Sequence, residues 1–341
     1  MNNYLLNLLM LERMNEIMVK KYRLEKMNQQ VDQIFDLFIC CCSFEDRCLS
    51  FLKNIDIGKI KRGVVFYNRE CLDYMKENKT ELASLLGKKG RFVELLHMNP
   101  LYTADQISVC LNELARDKEI KTILLDITTF THECLLVVIR LLQIKFKEAA
   151  IVCAYSNAKE YNPNCEVDEK WLSKGIIELR SVLGYAGSIL PAQKTHLILI
   201  VGYEHERAIS IINELEPNSI SLGFGKSDNA TTQKNQDANE HYVDLVERMA
   251  TNYIDLDCFE IKCDNPYETK EKIIEKSRNL EGENIIIIPL NNKISTIGVA
   301  MAALENDNLQ VCYAPAKVYN YYDYSEAGDM CYMFELCFPE D

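Results

Sequence analysis

The chain has 341 residues, 48% hydrophobic and 26% charged, a balance that excludes a disordered tail, a collagen-like fibre and a disulfide-stapled miniprotein. The length suits about two domains with cores of their own. Acidic residues outnumber basic ones by 51 to 38, for a formal net charge of −13, which opposes broad binding to nucleic acid or to an anionic membrane.

Residues 1–34 contain no Gly or Pro, and Leu5, Leu8, Leu9, Leu11, Met14, Ile17, Met18 and Leu24 form a rough apolar stripe. The spacing predicts an N-terminal helical arm that packs on the body or on a second subunit. Glu12, Glu16 and Glu25 interrupt its polar face, which disfavours lying on a membrane. No run approaches the ~18–20 apolar residues of a membrane span, and the start lacks the features of a signal peptide. Of the 14 cysteines, Cys40, Cys41 and Cys42 are consecutive in an apolar run, where they make poor disulfide partners. A reducing cytoplasm is therefore expected. Cys258 and Cys263 have no second ligand pair nearby, so no metal is expected, and no motif calls for a cofactor.

From residue 35 short apolar runs alternate with amphipathic ones, the signature of a parallel sheet with helices on both faces. Strands are expected over 35–42, 63–67, 91–97, 122–127, 149–155 and 175–183, with helices from 46 and over 71–86, 104–115 and 132–142. The second half repeats the first. The run Leu197–Val201 leads into Glu204 and Arg207 as the first copy leads into Glu45 and Arg47. Lys159 and Lys317 stand 158 positions apart, and Arg47 and Arg207 stand 160 apart. Landmarks in one order at a nearly constant offset mark an internal duplication. The fold class expected is α/β, two tandem Rossmann-like doubly wound parallel-sheet units with the N-terminal helix outside both. The units are 35–183 and 195–341, joined by a Gly- and Pro-containing linker, 184–194. The polar stretch 225–240 reads as a loop.

In doubly wound sheets ligands lie beyond the carboxyl ends of the strands, against helix N-termini that favour anions. After the first strand of each unit come Glu45, Asp46 and Arg47, and Glu204, Glu206 and Arg207. The acids suit first-turn caps. A cation in the first turn opposes the dipole, so Arg47 and Arg207 require an anionic partner, either a neighbouring carboxylate or a bound phosphate. After the fourth strand stand Asp126, Thr128, Thr129 and Thr131 in one copy and Asn291, Asn292, Lys293 and Ser295 in the other. Such side chains serve as caps or as polyol and phosphate contacts. A ligand is expected between the units, at a site made asymmetric by these differences. His132 and His205 have no triad or metal spacing. The tyrosines of 319–324 read as an exposed loop or subunit contact, although Tyr161 and Tyr319 recur at one repeat position and would place two aromatics at the cleft.

At these residues the sequence resembles the CRISPR-associated Rossmann fold (CARF) and the related two-copy SAVED sensor domains of bacterial defence systems. The run Asp126–His132 is similar to their motif after strand four, with His132 where Lys or Arg is usual, and Lys293 keeps the lysine without the aspartate. The resemblance spans about 35–341. It implies a small anionic nucleotide, such as a cyclic oligonucleotide, bound between the halves and signalling to a separate effector protein; a homo-oligomer through the N-terminal helix is expected from that helix's apolar stripe alone. The run 35–47 also resembles the first strand and loop of the Toll/interleukin-receptor fold. An alternative is a nucleoside- or NAD-processing glycosidase or transferase in which Glu133 acts as nucleophile or oxocarbenium stabiliser. An interaction scaffold for a separate effector is a third.

Overall fold

A computed structural model describes residues 18–117, 119–166, 169–225, 232–250 and 255–338. The first half of the expected N-terminal helix lies outside these residues. From there the chain departs from helix: β1 (Lys20–Arg23) is a strand, followed by a single 3-10 turn and a one-turn helix at Met27–Gln30. The reason is tertiary, since β1 pairs antiparallel with a strand from the far end of the chain, Lys20 opposite Met333. Leu24, Met27 and Val31 then turn inward and are buried.

The first unit supplies β2 (Leu37–Cys42), β3 (Gly63–Asn68), β4 (Gly90–Leu95), β5 (Thr122–Asp126) and β6 (Ala150–Tyr161). They run parallel in the order β4-β3-β2-β5-β6. Every residue of β2 is buried. Its alternation places Leu37, Ile39 and Cys41 in one core and Phe38, Cys40 and Cys42 in another, as expected for a parallel strand covered on both faces. The three consecutive cysteines thus behave as small hydrophobes, and all 14 are free thiols. The connecting helices are α1 (Leu72–Leu86), α2 (Pro100–Ala115) and α3 (His132–Lys145).

Two short strands follow, β7 (Ser173–Ile176) and β8 (Arg180–Ser181), before the second unit begins. That unit has β9 (Thr195–Ile200), β10 (Ser219–Gly225), β11 (Leu256–Ile261), β12 (Asn284–Pro289) and β13 (Leu309–Tyr313). Their parallel order, β11-β10-β9-β12-β13, reproduces that of the first sheet. Its helices are α4 (His205–Leu215), α5 (Gln233–Met249), α6 (Pro266–Arg278) and α7 (Lys293–Glu305). The protein is thus α/β, built of two Rossmann-like units of like topology. The loop expected over 225–240 is helical from Gln233, because Val243 and Val246 pack on the second sheet while Ala238 and Tyr242 pack against Leu172 and Tyr203.

Helices α3 and α7 are apolar nearly all round and buried along most of their length, and they belong to one core shared by both sheets. The two units therefore meet through a helical layer. No helix among the described residues is long and apolar enough to cross a membrane.

The units also exchange their last strands. β8 pairs antiparallel with β13 on the second sheet. β7 pairs with β14 (Ala316–Tyr319), and β15 (Ser325–Glu335) pairs antiparallel with β6 and β1 on the first sheet. The connection between units is pinned: Tyr185 is buried and its hydroxyl donates to the Leu136 carbonyl at 3.0 Å. Gly187 adopts φ 62°, and a Cβ there would lie 2.6 Å from the Gln310 backbone nitrogen, so no other residue fits without strain.

Candidate functional site

Both sheets reverse strand order at their first and fourth strands, β2/β5 and β9/β12, and the carboxyl ends at these switch points face one another. Helix α3 starts at His132 with Thr131 as cap, accepting from the Cys134 amide at 3.3 Å. Helix α7 starts at Lys293 with Asn292 as cap, accepting from the Ser295 amide at 2.9 Å. His132 and Lys293 therefore hold the same position in the two copies. They meet across the interface, Nε2 to Nζ, at 3.4 Å.

Between them open two adjacent lobes, narrow clefts in which a water-sized sphere has about 50 and about 70 Å³ of room. The lobes are crossed. One lies over Gly202–Glu204 and Leu290–Lys293 of the second unit and is walled by Arg47, Tyr155 and Tyr161 of the first. The other lies over 42–45 and 129–132 of the first unit and is walled by Arg207, Tyr313 and Tyr319 of the second. Glu45, His132, Glu204, Lys293 and Tyr324 belong to both lobes.

The two arginines have protein partners. Arg47 Nη2 is 2.5 Å from Glu45 Oε2, and its Nη1 donates to the Ser156 carbonyl at 3.2 Å. Ser325, on the exchanged strand β15, donates to the same carboxylate at 2.6 Å. The second copy repeats this arrangement: Arg207 pairs with Glu204 and donates to the Ala314 carbonyl, and Ser173 on the exchanged strand β7 donates to Glu204. Burial pushes the pKa of each guanidinium down, and the adjacent carboxylate more than offsets it, so both are held above the ordinary arginine value. Of the two partners open to these arginines, the structure supplies the carboxylate. Each pair latches the other unit's terminal strand.

Most of the polar residues expected to bind a ligand also hold the strand ends together. Thr128 donates to Asp126 and accepts from the Ser156 amide at 3.0 Å. Thr129 donates to the Cys41 carbonyl at 2.7 Å, and Asn291 Nδ2 to the Val201 carbonyl at 2.5 Å. Thr128, Thr129, Thr131, Asn291 and Asn292 still line a lobe, whereas Asp126 and Ser295 lie behind it. Burial lifts the Asp126 carboxyl to about 6 against the hydrogen bonds from Thr128 and the charge of Arg47. Its Oδ2 is buried without a partner.

Lys293 differs from the arginines. It is half-buried, and among the described residues no carboxylate lies within ion-pair distance of its ammonium. Burial lowers its pKa to about 8, Arg47 and Arg207 adding to the effect and Glu45 and Glu204 opposing it. Two helix N-termini, with their dipoles and amides unpartnered within the helix, point into the same space.

Glu133 sits elsewhere. It is buried, and its two oxygens accept from Arg180 on β8, Oε1 at 2.9 Å and Oε2 at 2.6 Å. It lines neither lobe. The tyrosine cluster also departs from expectation. Tyr319 and Tyr324 face the lobes, Tyr321 stacks on Tyr74 with ring centroids 3.9 Å apart, and Tyr322 is 91% exposed. The residues 320–324 are drawn in because Asn162 and Asn164 hold Asp323, and the Asn162 amide donates to the Tyr324 carbonyl at 3.0 Å. Tyr155 and Tyr313 line the lobes as well, and they recur 158 positions apart, as Tyr161 and Tyr319 do. Among the described residues no group of three His, Cys, Asp or Glu side chains could hold a metal ion.

Fold and cavity together define a tandem Rossmann-like α/β protein with one composite cavity at its facing carboxyl edges. No family model and no curated protein matches the chain. Among solved structures it is similar to the cytoplasmic domain of a prokaryotic cation chloride cotransporter, with 11% identity, TM-score 0.25, and coverage of 84% of this chain and 98% of that one. It is also similar to a UDP-GlcNAc 2-epimerase from Neisseria meningitidis bound to UDP-GlcNAc, with 8% identity, TM-score 0.24, and coverage of 79% and 80%. Likenesses at these TM-scores carry no argument about this chain.

Proposed function

We propose that the protein binds a small anionic nucleotide in the cavity between its two units and acts as a sensor that signals to a separate effector. The observation that carries this reading is Lys293: a cation without a carboxylate partner, at the start of one helix and facing the start of another, in a space walled by tyrosines. An unpaired, desolvated cation is costly to a fold and marks functional sites. Phosphate suits the lysine and the two helix N-termini, and the tyrosine walls offer stacking surfaces to bases. Cyclic oligonucleotides, which the resemblance to CARF and SAVED domains implies, belong to this ligand class. Placement in the cytoplasm and in prokaryotic defence belongs to the same proposal. Glu133, committed to Arg180, lends no support to a glycosidase reading.

The test is a thermal-shift panel of mono-, di- and cyclic oligonucleotides read alongside product analysis. The expected result is a raised melting temperature with a member of the panel, abolished in Lys293→Ala. Absence of any shift in the wild-type protein overturns the proposal.

A further inference from the structure

Across the interface between the units, Lys293 Nζ approaches His132 Nε2 at 3.4 Å, and the other ring nitrogen, Nδ1, lies 2.7 Å from Thr296 Oγ1. Thr296 has one hydroxyl hydrogen, and it is directed to the Asn292 carbonyl at 3.0 Å. With that hydrogen on the carbonyl the threonine oxygen accepts from the ring, an assignment of the Nδ1–H tautomer that leaves Nε2 as a bare lone pair facing the lysine. Burial, reinforced by Lys293 and Arg207, keeps the imidazole neutral.

We infer that His132 is a positioning residue for Lys293, its Nε2 accepting one ammonium hydrogen so that the other two N–H bonds are aimed into the space between the lobes. The charged groups that face the lysine are Glu45, Glu204, Arg47 and Arg207, and both carboxylates are already held by the arginines. His132 is thus the hydrogen-bond acceptor that the described residues offer the ammonium. The chain Asn292–Thr296–His132–Lys293 starts and ends in the second unit and passes through the first, so the direction of the amine depends on how α3 and α7 are docked. The inference rests on the reading of Lys293 as the anion contact, but it concerns the amine itself and is tested without a ligand.

The experiment is a pH titration of the full chain labelled with ¹³C-lysine, following the Cε resonance that disappears in Lys293→Arg. His132→Phe removes the acceptor and lowers the Lys293 midpoint by about one pH unit. His132→Gln, whose amide oxygen can accept, restores it. A purely structural histidine would lower the unfolding midpoint and leave the titration of Lys293 in place, and that result overturns the inference. If His132→Phe does not fold, Thr296→Val serves instead: it releases the tautomer and is expected to lower the midpoint in the same direction, an unchanged midpoint again counting against the inference. A nucleotide thermal shift on the same samples separates the two ideas. Movement of the midpoint with no shift for any nucleotide leaves His132 in its role and removes the nucleotide; a shift with an immobile midpoint does the reverse.

Discussion

Replacing Lys293 with methionine should make the ligand-free protein more stable and its cavity inactive. The lysine pKa falls from 10.5 to about 8 in the folded state, and each unit corresponds to about 1.4 kcal/mol, so the charged amine costs the fold up to about 3 kcal/mol at neutral pH. Methionine retains most of the apolar stem and carries no charge. The sign follows from proton binding. Between about pH 8 and 10.5 the unfolded chain holds a proton on this group that the folded chain has released, so wild-type stability rises with pH through that window. The penalty is full below about pH 8 and gone above about 10.5. Urea unfolding of wild type and Lys293→Met at a series of pH values isolates this contribution as a difference. The variant should lead by up to about 3 kcal/mol near pH 7, the lead fading as the pH approaches the ordinary lysine value. A variant less stable at pH 7, or a difference that does not change with pH, would refute the view that the cavity holds an uncompensated cation.

Two further outcomes follow from the same geometry. Asp126 titrates near 6 instead of 3.8, so the folded chain holds a proton that the unfolded chain has lost between these values. Its contribution therefore weakens as pH rises through that window, and the stability of Asp126→Asn relative to wild type should improve by up to about 3 kcal/mol from pH 4 to pH 7 in paired denaturant titrations. At the second latch, Glu204→Gln leaves Arg207 buried without its counter-charge and should cost about 3–5 kcal/mol. Adding Arg207→Met should recover part of that loss in a double-mutant cycle, and strictly additive losses would show that the two side chains do not act as a pair.

Much of the architecture is local and therefore readable from the chain. The apolar runs at 37–42, 122–126, 195–200 and 284–289 are buried on both faces and identify themselves as parallel strands. The near-constant offset between copies identifies the duplication. The polar residues after strands one and four fall at the switch points because a Rossmann-like order leaves them nowhere else, and ten of the fourteen named there line the cavity.

What a residue does once there is decided by partners distant in sequence. Arg47 and Arg207 read alike as phosphate ligands or ion pairs, until Ser325 and Ser173 arrive on exchanged strands and close each latch. The single strand expected over 175–183 is instead two short strands, β7 and β8, in different sheets, because periodicity reports which face of a strand is apolar and not which sheet edge it joins. The same limit hid β1, a short segment that helix propensity claims and the free edge of β15 takes. Glu133 as a first-turn acid is legible; its capture by Arg180, 47 positions later, is not. The sequence determines which elements form and that they form twice, because hydrophobic spacing and repetition are properties of neighbouring residues. Only the tertiary structure decides that Lys293, alone among the three cations expected at the cavity, is left without a carboxylate, because that depends on which side chains from two units are brought to the same few ångströms.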